Sequence, residues 1–235
     1  MNPLGAEQAS SEMLAERFDP LIAVVDGQGT IISHRLPKEP TVVSLAAGVD
    51  RLDGLMPHPA GVSLMELIQM VQVDGRPRCA VLVMQGLAHE LWTRPHRTGN
   101  GQRVGSVVLT LLPGGLQDVP RRLRTEYTRV PMSGHDWGPL DGLTRGEMNA
   151  LRLISRGMTN TEAAQFMHRT RRAVEWHVRH LHRALGVTTR PALITVGRRA
   201  GLHCFEDSEW ELVLGTRRAV RSRRSRDDGV PEHES

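Results

Sequence analysis

The chain is 235 residues long and has almost no lysine, few aromatics and two cysteines. Lys38 is the single lysine among 30 basic residues, which reads as an arginine-rich coding bias rather than as chemistry. Aromatics make up 3% of the chain, so aliphatic side chains have to fill whatever cores form. Cys79 and Cys204 lie far apart and form no C-x-x-C. That excludes a thioredoxin-like pair and leaves two reduced thiols as the expectation. There is no apolar run of membrane-spanning length, and the first residues lack a basic-then-apolar signal pattern, so the expected location is the cytoplasm, with no membrane partner. The N-terminal half contains no nucleophile elbow, P-loop, metal cluster or G-x-G-x-x-G turn. Neither catalytic activity nor a cofactor is expected.

Charge is present but unevenly placed. Residues 1–115 carry nine basic and eleven acidic groups, and residues 203–235 carry six and eight. Residues 140–202 carry eleven arginines against Asp141, Glu147, Glu162 and Glu175. An excess of seven positive charges in one short region suits a polyanion, because binding phosphates releases their counterions. Charge alone would equally fit a merely soluble surface.

The pattern inside 140–202 is more specific. Thr144 with Glu147 spells a capping box, and Leu151 and Ile154 follow at helical spacing until Gly157 stops the helix. Thr159 with Glu162 spells a second box, opening a very short helix over Ala163, Ala164 and Met167. A third helix is predicted from Thr170 to Leu185, stopping at Gly186. A fourth follows Thr189 with Pro191 in its first turn, where the missing N–H costs nothing, and ends before Gly201. At 100° per residue, the third helix puts Val174, His177, Val178, Leu181 and Leu185 on one side. Arg172, Trp176, Arg179 and Arg183 fall on the other. Val174, Leu181 and Leu185 of the first stripe are expected to form one small core with Leu151 and Ile154. The second is a row of arginines around an exposed indole, and a major groove is the simplest cover for it.

These motifs, LTRGE (Leu143–Glu147), RGMTNTEAA (Arg156–Ala164), AVEWHV (Ala173–Val178) and LGV (Leu185–Val187), resemble the LuxR/FixJ-type helix-turn-helix DNA-binding domain. The match runs from Leu143 to Leu202 without a gap. The resemblance implies a four-helix domain whose third helix enters the major groove. Positions matching Glu175, Trp176 and Arg179 would face bases, and those matching Arg172, His177 and Arg183 would lie near phosphates. Arg171 completes the expected DNA-binding set. The chain departs from the family at three places. The family has a basic residue where Glu175 stands, a small aliphatic where Trp176 stands, and Gly-Ile where His168-Arg169 stand.

Ahead of this region, Leu21–Asp26 and Thr30–His34 flank the turn signal Gly27-Gln28-Gly29 and read as a hairpin. Leu64–Val71 is the clearest helix of a mixed stretch. Three strand-like runs follow, Arg78–Gln85, His89–His96 and Arg103–Leu112, the last two separated by the hairpin signal Asn100-Gly101. Two strands, helices and three strands, together with the phrase IAVVDGQGTI, resemble a PAS sensor domain over about 18–114. The order excludes a receiver domain, so Asp26 is expected as a turn residue beside Gly27. His34, His58, His89 and His96 have no ligand spacing and no Cys/His cluster around them, so they are expected to be structural or surface histidines.

The expected architecture is therefore α+β. A PAS-like antiparallel sheet with helices (18–114) is followed by a linker (115–139), the helix-turn-helix domain (140–202) and a partly disordered tail (203–235). Within the linker, Val119–Arg129 could be a short helix. Phe205, Trp210 and Leu212 are expected to pack, and the arginines between Arg217 and Arg226 to add to DNA affinity or simply be solvated. The expected function is sequence-specific transcription regulation by the third helix, modulated by the PAS-like domain. The alternative is a protein-interaction module whose helix-turn-helix does not read DNA. Expected partners are double-stranded DNA, a second copy of the chain, RNA polymerase, and a small-molecule or protein signal at the PAS-like domain. A dimer is expected because one helix covers only about four to six base pairs, and paired half-sites about one helical turn apart are the motif's usual solution.

Overall fold

A computed structural model describes residues 20–35, 51–52, 60–97, 103–113 and 126–215. Residues 7–17, whose sequence pattern allows a helix, lie outside the described residues, as do His58, the Asn100-Gly101 turn and the arginine-rich tail from Arg217. In chain order the elements are β1 (Leu21–Asp26), β2 (Ile31–Arg35), α1 (Ala60–Asp74), β3 (Arg78–Met84), β4 (Leu87–Arg97), β5 (Arg103–Pro113) and β6 (Thr128–Arg129). Four helices follow: α2 (Arg145–Ser155), α3 (Asn160–Phe166), α4 (Arg171–Ala184) and α5 (Arg190–Arg199). A last helix, α6, covers 207–215.

The strands form one sheet in the order β2-β1-β5-β4-β3-β6. The first five are antiparallel and give the PAS-like arrangement expected from the sequence. The sixth was not foreseen. Thr128 and Arg129, at the end of the linker stretch read as a short helix, instead add to the sheet edge parallel to Arg78 and Cys79, while 119–125 lie outside the described residues. Two residues carry no periodicity to detect; only the neighbouring strand edge makes them a strand.

Alternation sorts the strands' side chains onto two faces. Leu21, Ala23, Val25, Ala80, Leu82, Leu91, Val107 and Leu109 face α1, whose Leu64, Leu67, Ile68 and Val71 are fully buried against them. Asp26 sits at the β1–β2 turn, where its carboxylate accepts from the backbone N–H of Gln28 and Thr30, both at 2.8 Å. Those two bonds hold its pKa below the usual carboxylate value and make it the turn residue the sequence implied.

The opposite face of the sheet does not meet solvent at β3 and β4. Cys79, Val81, Val83, Ala88 and Trp92 share one core with Leu140, Leu143, Met148, Leu151, Ile154, Leu181 and Leu193 of the helical region. Trp137, Phe205 and Trp210 fill the space between, each buried. Phe205 and Trp210 lie 5.7 Å apart, and Trp137 stands edge-on to Trp210 at 6.2 Å. Gly201 closes the contact: its φ of +64 suits glycine, and a Cβ there would sit 2.5 Å from the Ala88 side chain.

Two arginines on this joint pair with carboxylates and backbone carbonyls. Arg129 donates to Glu209 at 2.7 Å and to the Cys204 carbonyl at 3.0 Å. Arg152 is buried over the Trp210 ring and donates to the Phe205 carbonyl and to Asp207. Leu212 departs from the packing expectation and is 49% exposed, while Val213 and Leu214 point inward instead. The single small helical core also divides. Val174 joins Leu153, Ala163 and Ala164 in a separate cluster, while Leu151, Ile154 and Leu181 belong to the shared one and Leu185 packs at its margin. The sequence wheel showed which side of α4 is apolar, but not that two neighbours divide it.

His135 lies inside this joint, 5.1 Å from Trp137 and 5.4 Å from Phe205. Its Nδ1 accepts from the Val83 N–H at 3.2 Å, which requires the neutral ring. Burial pushes its pKa down from 6.5 to about 4, and burial does the same to His89. The unfolded chain therefore binds more protons than the folded one between these values. The stability that each neutral ring contributes is complete above about pH 6.5 and is lost as pH falls towards 4. A urea midpoint measured against pH should fall through this window, and His135→Gln should flatten part of the slope.

Trp210→Ala should cost about 3–5 kcal/mol, the range for a buried tryptophan. Because the core spans sheet and helices, chemical denaturation followed by sheet and helix signals should show both melting earlier together. An unchanged sheet transition would show that the two parts are not coupled.

Candidate nucleic-acid interface

The helical region folds from its caps. The Thr144 hydroxyl accepts from the Glu147 N–H, and the Glu147 carboxylate accepts from the Thr144 N–H at 2.8 Å. Thr159 and Glu162 repeat the arrangement on α3, with the return bond at 2.7 Å. Thr170 caps α4 and Thr189 caps α5. Each cap satisfies backbone donors that the first helical turn would otherwise leave open. The short α3 packs Ala163 and Ala164 against the cluster containing Leu153 of α2 and Val174 of α4. Small residues there allow close approach.

The α3–α4 turn carries a cost. His168 has φ +51, the left-handed region that favours glycine, at the position where the LuxR-type pattern has glycine. Arg169 N–H bonds to the Ala164 carbonyl at 2.9 Å, so the turn closes despite the substitution.

Docking on the sheet leaves one face of α4 open. Val174 and Leu181 are buried, while Arg172, Arg179 and Arg183 are exposed and Trp176 is 46% exposed. These four residues stand in the row that the sequence wheel placed them in. Arg171 is exposed and donates to Glu175 at 2.7 Å, an i,i+4 pair on the surface. Such pairs contribute little and are screened by salt, so both side chains can exchange partners at low cost. His177 differs from its neighbours. It is half-buried, its ring lies against Gly146 of α2, and burial lowers its pKa. A histidine kept neutral in this way can share a hydrogen bond with a phosphate but supplies no counter-charge.

The electrostatics are therefore directional. The open face holds arginines, and the acidic groups of α2 and α3 that cap helices, Glu147 and Glu162, are used on their own backbones. A convex helix with four guanidinium groups and one indole suits the dimensions of a major groove. Among the described residues, no group of three or more His, Cys, Asp or Glu could hold a metal ion, and no helix is long and apolar enough to cross a membrane.

Residues 141–196 match the family profile described as bacterial regulatory proteins, luxR family. This segment is a luxR-type helix-turn-helix DNA-binding domain. No curated protein matches the chain. Solved structures with a similar outline include the Vibrio cholerae VqmA–ligand–DNA complex, at 16% identity, covering 86% of this chain and 90% of that one, with a TM-score of 0.44. The VqmA dimer in the absence of target DNA is similar at 16% identity, 83% and 88% coverage and a TM-score of 0.38. A sensory box histidine kinase of Vibrio cholerae is similar over 47% of this chain and 91% of that one, at 13% identity and a TM-score of 0.33. These are distant likenesses.

The luxR-type domain thus shares a core with the PAS-like sheet, a contact that the reading of the sequence did not anticipate. Five of the eight aromatics, Trp92, Tyr127, Trp137, Phe205 and Trp210, gather at that joint. Their concentration on either side of the helix-turn-helix segment is the signal that could have exposed it. Sequence reading also passed over His180, which stacks on Trp176, and took Glu147 only as a helix cap.

Proposed function

We propose that the chain is a cytoplasmic transcription regulator that reads DNA sequence with α4 in the major groove and takes a signal at its PAS-like domain. The observation that carries this is the open row Arg172, Trp176, Arg179 and Arg183 on the one α4 face that neither the helical core nor the sheet covers. An arginine row and an exposed indole on a luxR-type recognition helix have no role in the fold itself. A module that only bound proteins would not need them arranged along a groove-sized ridge. In this reading Glu175, Trp176 and Arg179 meet base edges, while Arg171, Arg172, His177 and Arg183 meet phosphates. Residues 18–114 are the sensing part and 140–202 the reading part, with 126–139 and 203–215 joining them. Partners are double-stranded DNA, a second copy of the chain and RNA polymerase. No reaction is assigned to it.

Arg179 and Arg183 separate affinity from specificity. Arg179 is nearer the N-terminal end of α4, which in helix-turn-helix proteins meets the bases, and Arg183 is nearer the end that leaves the groove. Selection of bound fragments from random duplex DNA, repeated for each variant, tests the assignment. Arg179→Ala should cost about 1–3 kcal/mol and relax preference at one position. Arg183→Ala should weaken all sequences alike and lower the salt slope by about one. If the wild-type chain enriches no sequence at two salt concentrations, specific reading is wrong. If Arg179→Ala enriches the wild-type motif with only lower affinity, Arg179 is a phosphate contact.

The assembly on DNA should be a dimer on two half-sites, built through the PAS-like domain or α5, whose Pro191, Thr195 and Arg199 are exposed. Sedimentation of the complex with a selected duplex should give two chains per duplex. One chain on a single half-site would refute it.

A further inference from the structure

Trp176 is the one luxR-domain residue on the reading face that is large, apolar and 46% exposed, while Trp92, Trp137 and Trp210 are each 2% exposed. A tryptophan standing alone on a helix surface would sample more than one χ1 rotamer and would have to be ordered on binding. Here it does not stand alone. The His180 ring, one turn on, stacks against the indole with centroids 3.9 Å apart and planes tilted by 32°. His177 meets the indole edge-on at 5.2 Å.

Both histidines lie against the start of α2. His180 Nδ1 lies 3.6 Å from Glu147 Oε1, and that carboxylate is nearly buried, with its other oxygen fixed by the Thr144 N–H and hydroxyl at 2.8 and 2.9 Å. His177 fits against α2 because residue 146 is glycine: a Cβ there would stand 2.6 Å from the imidazole Cε1. The capping box of one helix thus continues, through an imidazole, into the orientation of an indole on another.

We propose that His180 is a positioning residue, which Glu147 anchors and which fixes the Trp176 indole in its DNA-reading orientation before DNA arrives. This rests on the reading of α4 as the recognition helix. Ordering the side chain in advance removes a cost that would otherwise fall on binding, about threefold to tenfold in affinity for such a side chain.

The test uses the full chain, a duplex selected by the wild type, and the variants His180→Ala, His180→Phe, Trp176→Ala and the double variant His180→Ala/Trp176→Ala. His180→Ala should lower affinity by about threefold to tenfold. His180→Phe, which keeps a ring on the indole, should recover most of that loss. In the Trp176→Ala background the His180 change should have no further effect, which a direct contact to DNA or a general loss of folding would not reproduce. Without DNA, acrylamide quenching of the exposed tryptophan should rise in His180→Ala, with Trp176→Phe identifying that component of the emission. An equal loss in both backgrounds overturns the proposal, as does unchanged affinity in His180→Ala, whatever the quenching shows. A wild-type chain that selects no duplex removes the DNA-reading assignment and this proposal with it, whereas a wild type that selects DNA and is indifferent to His180→Ala removes the proposal alone.

Discussion

The arrangement depends on burying one face of the sheet. β3 and β4 present Cys79, Val81, Val83, Ala88 and Trp92 on the side away from α1, a surface too apolar to leave in water. The helix-turn-helix region has the complementary problem, since α2 and α5 are too short to enclose Leu143, Met148 and Leu151 by themselves. Trp137, Phe205 and Trp210 solve both at once, and the charged groups that come with them are matched by Arg129 with Glu209 and Arg152 with Asp207. Arg152 is nearly buried and donates from one guanidinium nitrogen to a backbone carbonyl and a carboxylate, so the joint is specified by hydrogen-bond geometry as well as by area.

That joint fixes which surfaces are left. It uses the sides of α2 and α5 and the inner stripe of α4, and leaves the arginine row outside. A regulator of this build does not hide its reading face beneath the sheet. Signals at the PAS-like part would have to act by changing how the two parts are held, or how two copies are arranged, and not by uncovering the arginines.

The reading face is a compromise between order and chemistry. Its arginines are long and solvated, and ordering them on DNA costs entropy that phosphate contacts must exceed. The one residue that could bring a rigid surface is Trp176, and it is backed by two imidazoles. His168 pays in backbone strain at the preceding turn, in a domain whose two capping boxes and buried alanines hold the turn closed regardless.

Local chemistry made the helices legible. Thr144, Thr159, Thr170 and Thr189 each precede a helix, and Gly157, Gly186 and Gly201 follow one, so boundaries could be read within a residue or two. Periodicity showed the two sides of α4 and the strands of the PAS-like sheet, because each depends on spacing within one element. Contacts between elements distant in the chain were not legible. That Thr128-Arg129 forms a sheet edge, that Val174 and Leu181 enter different clusters, that Leu212 faces water while Trp210 does not, and that Glu147 reaches His180 all depend on how helices and sheet meet. The sequence by itself determined where helices start and stop and which of their faces are apolar, since backbone caps and side-chain spacing act over three or four residues. Only the tertiary structure decided what each apolar face meets, because burial is non-directional and many partners of similar size would satisfy it until the chain has folded around one.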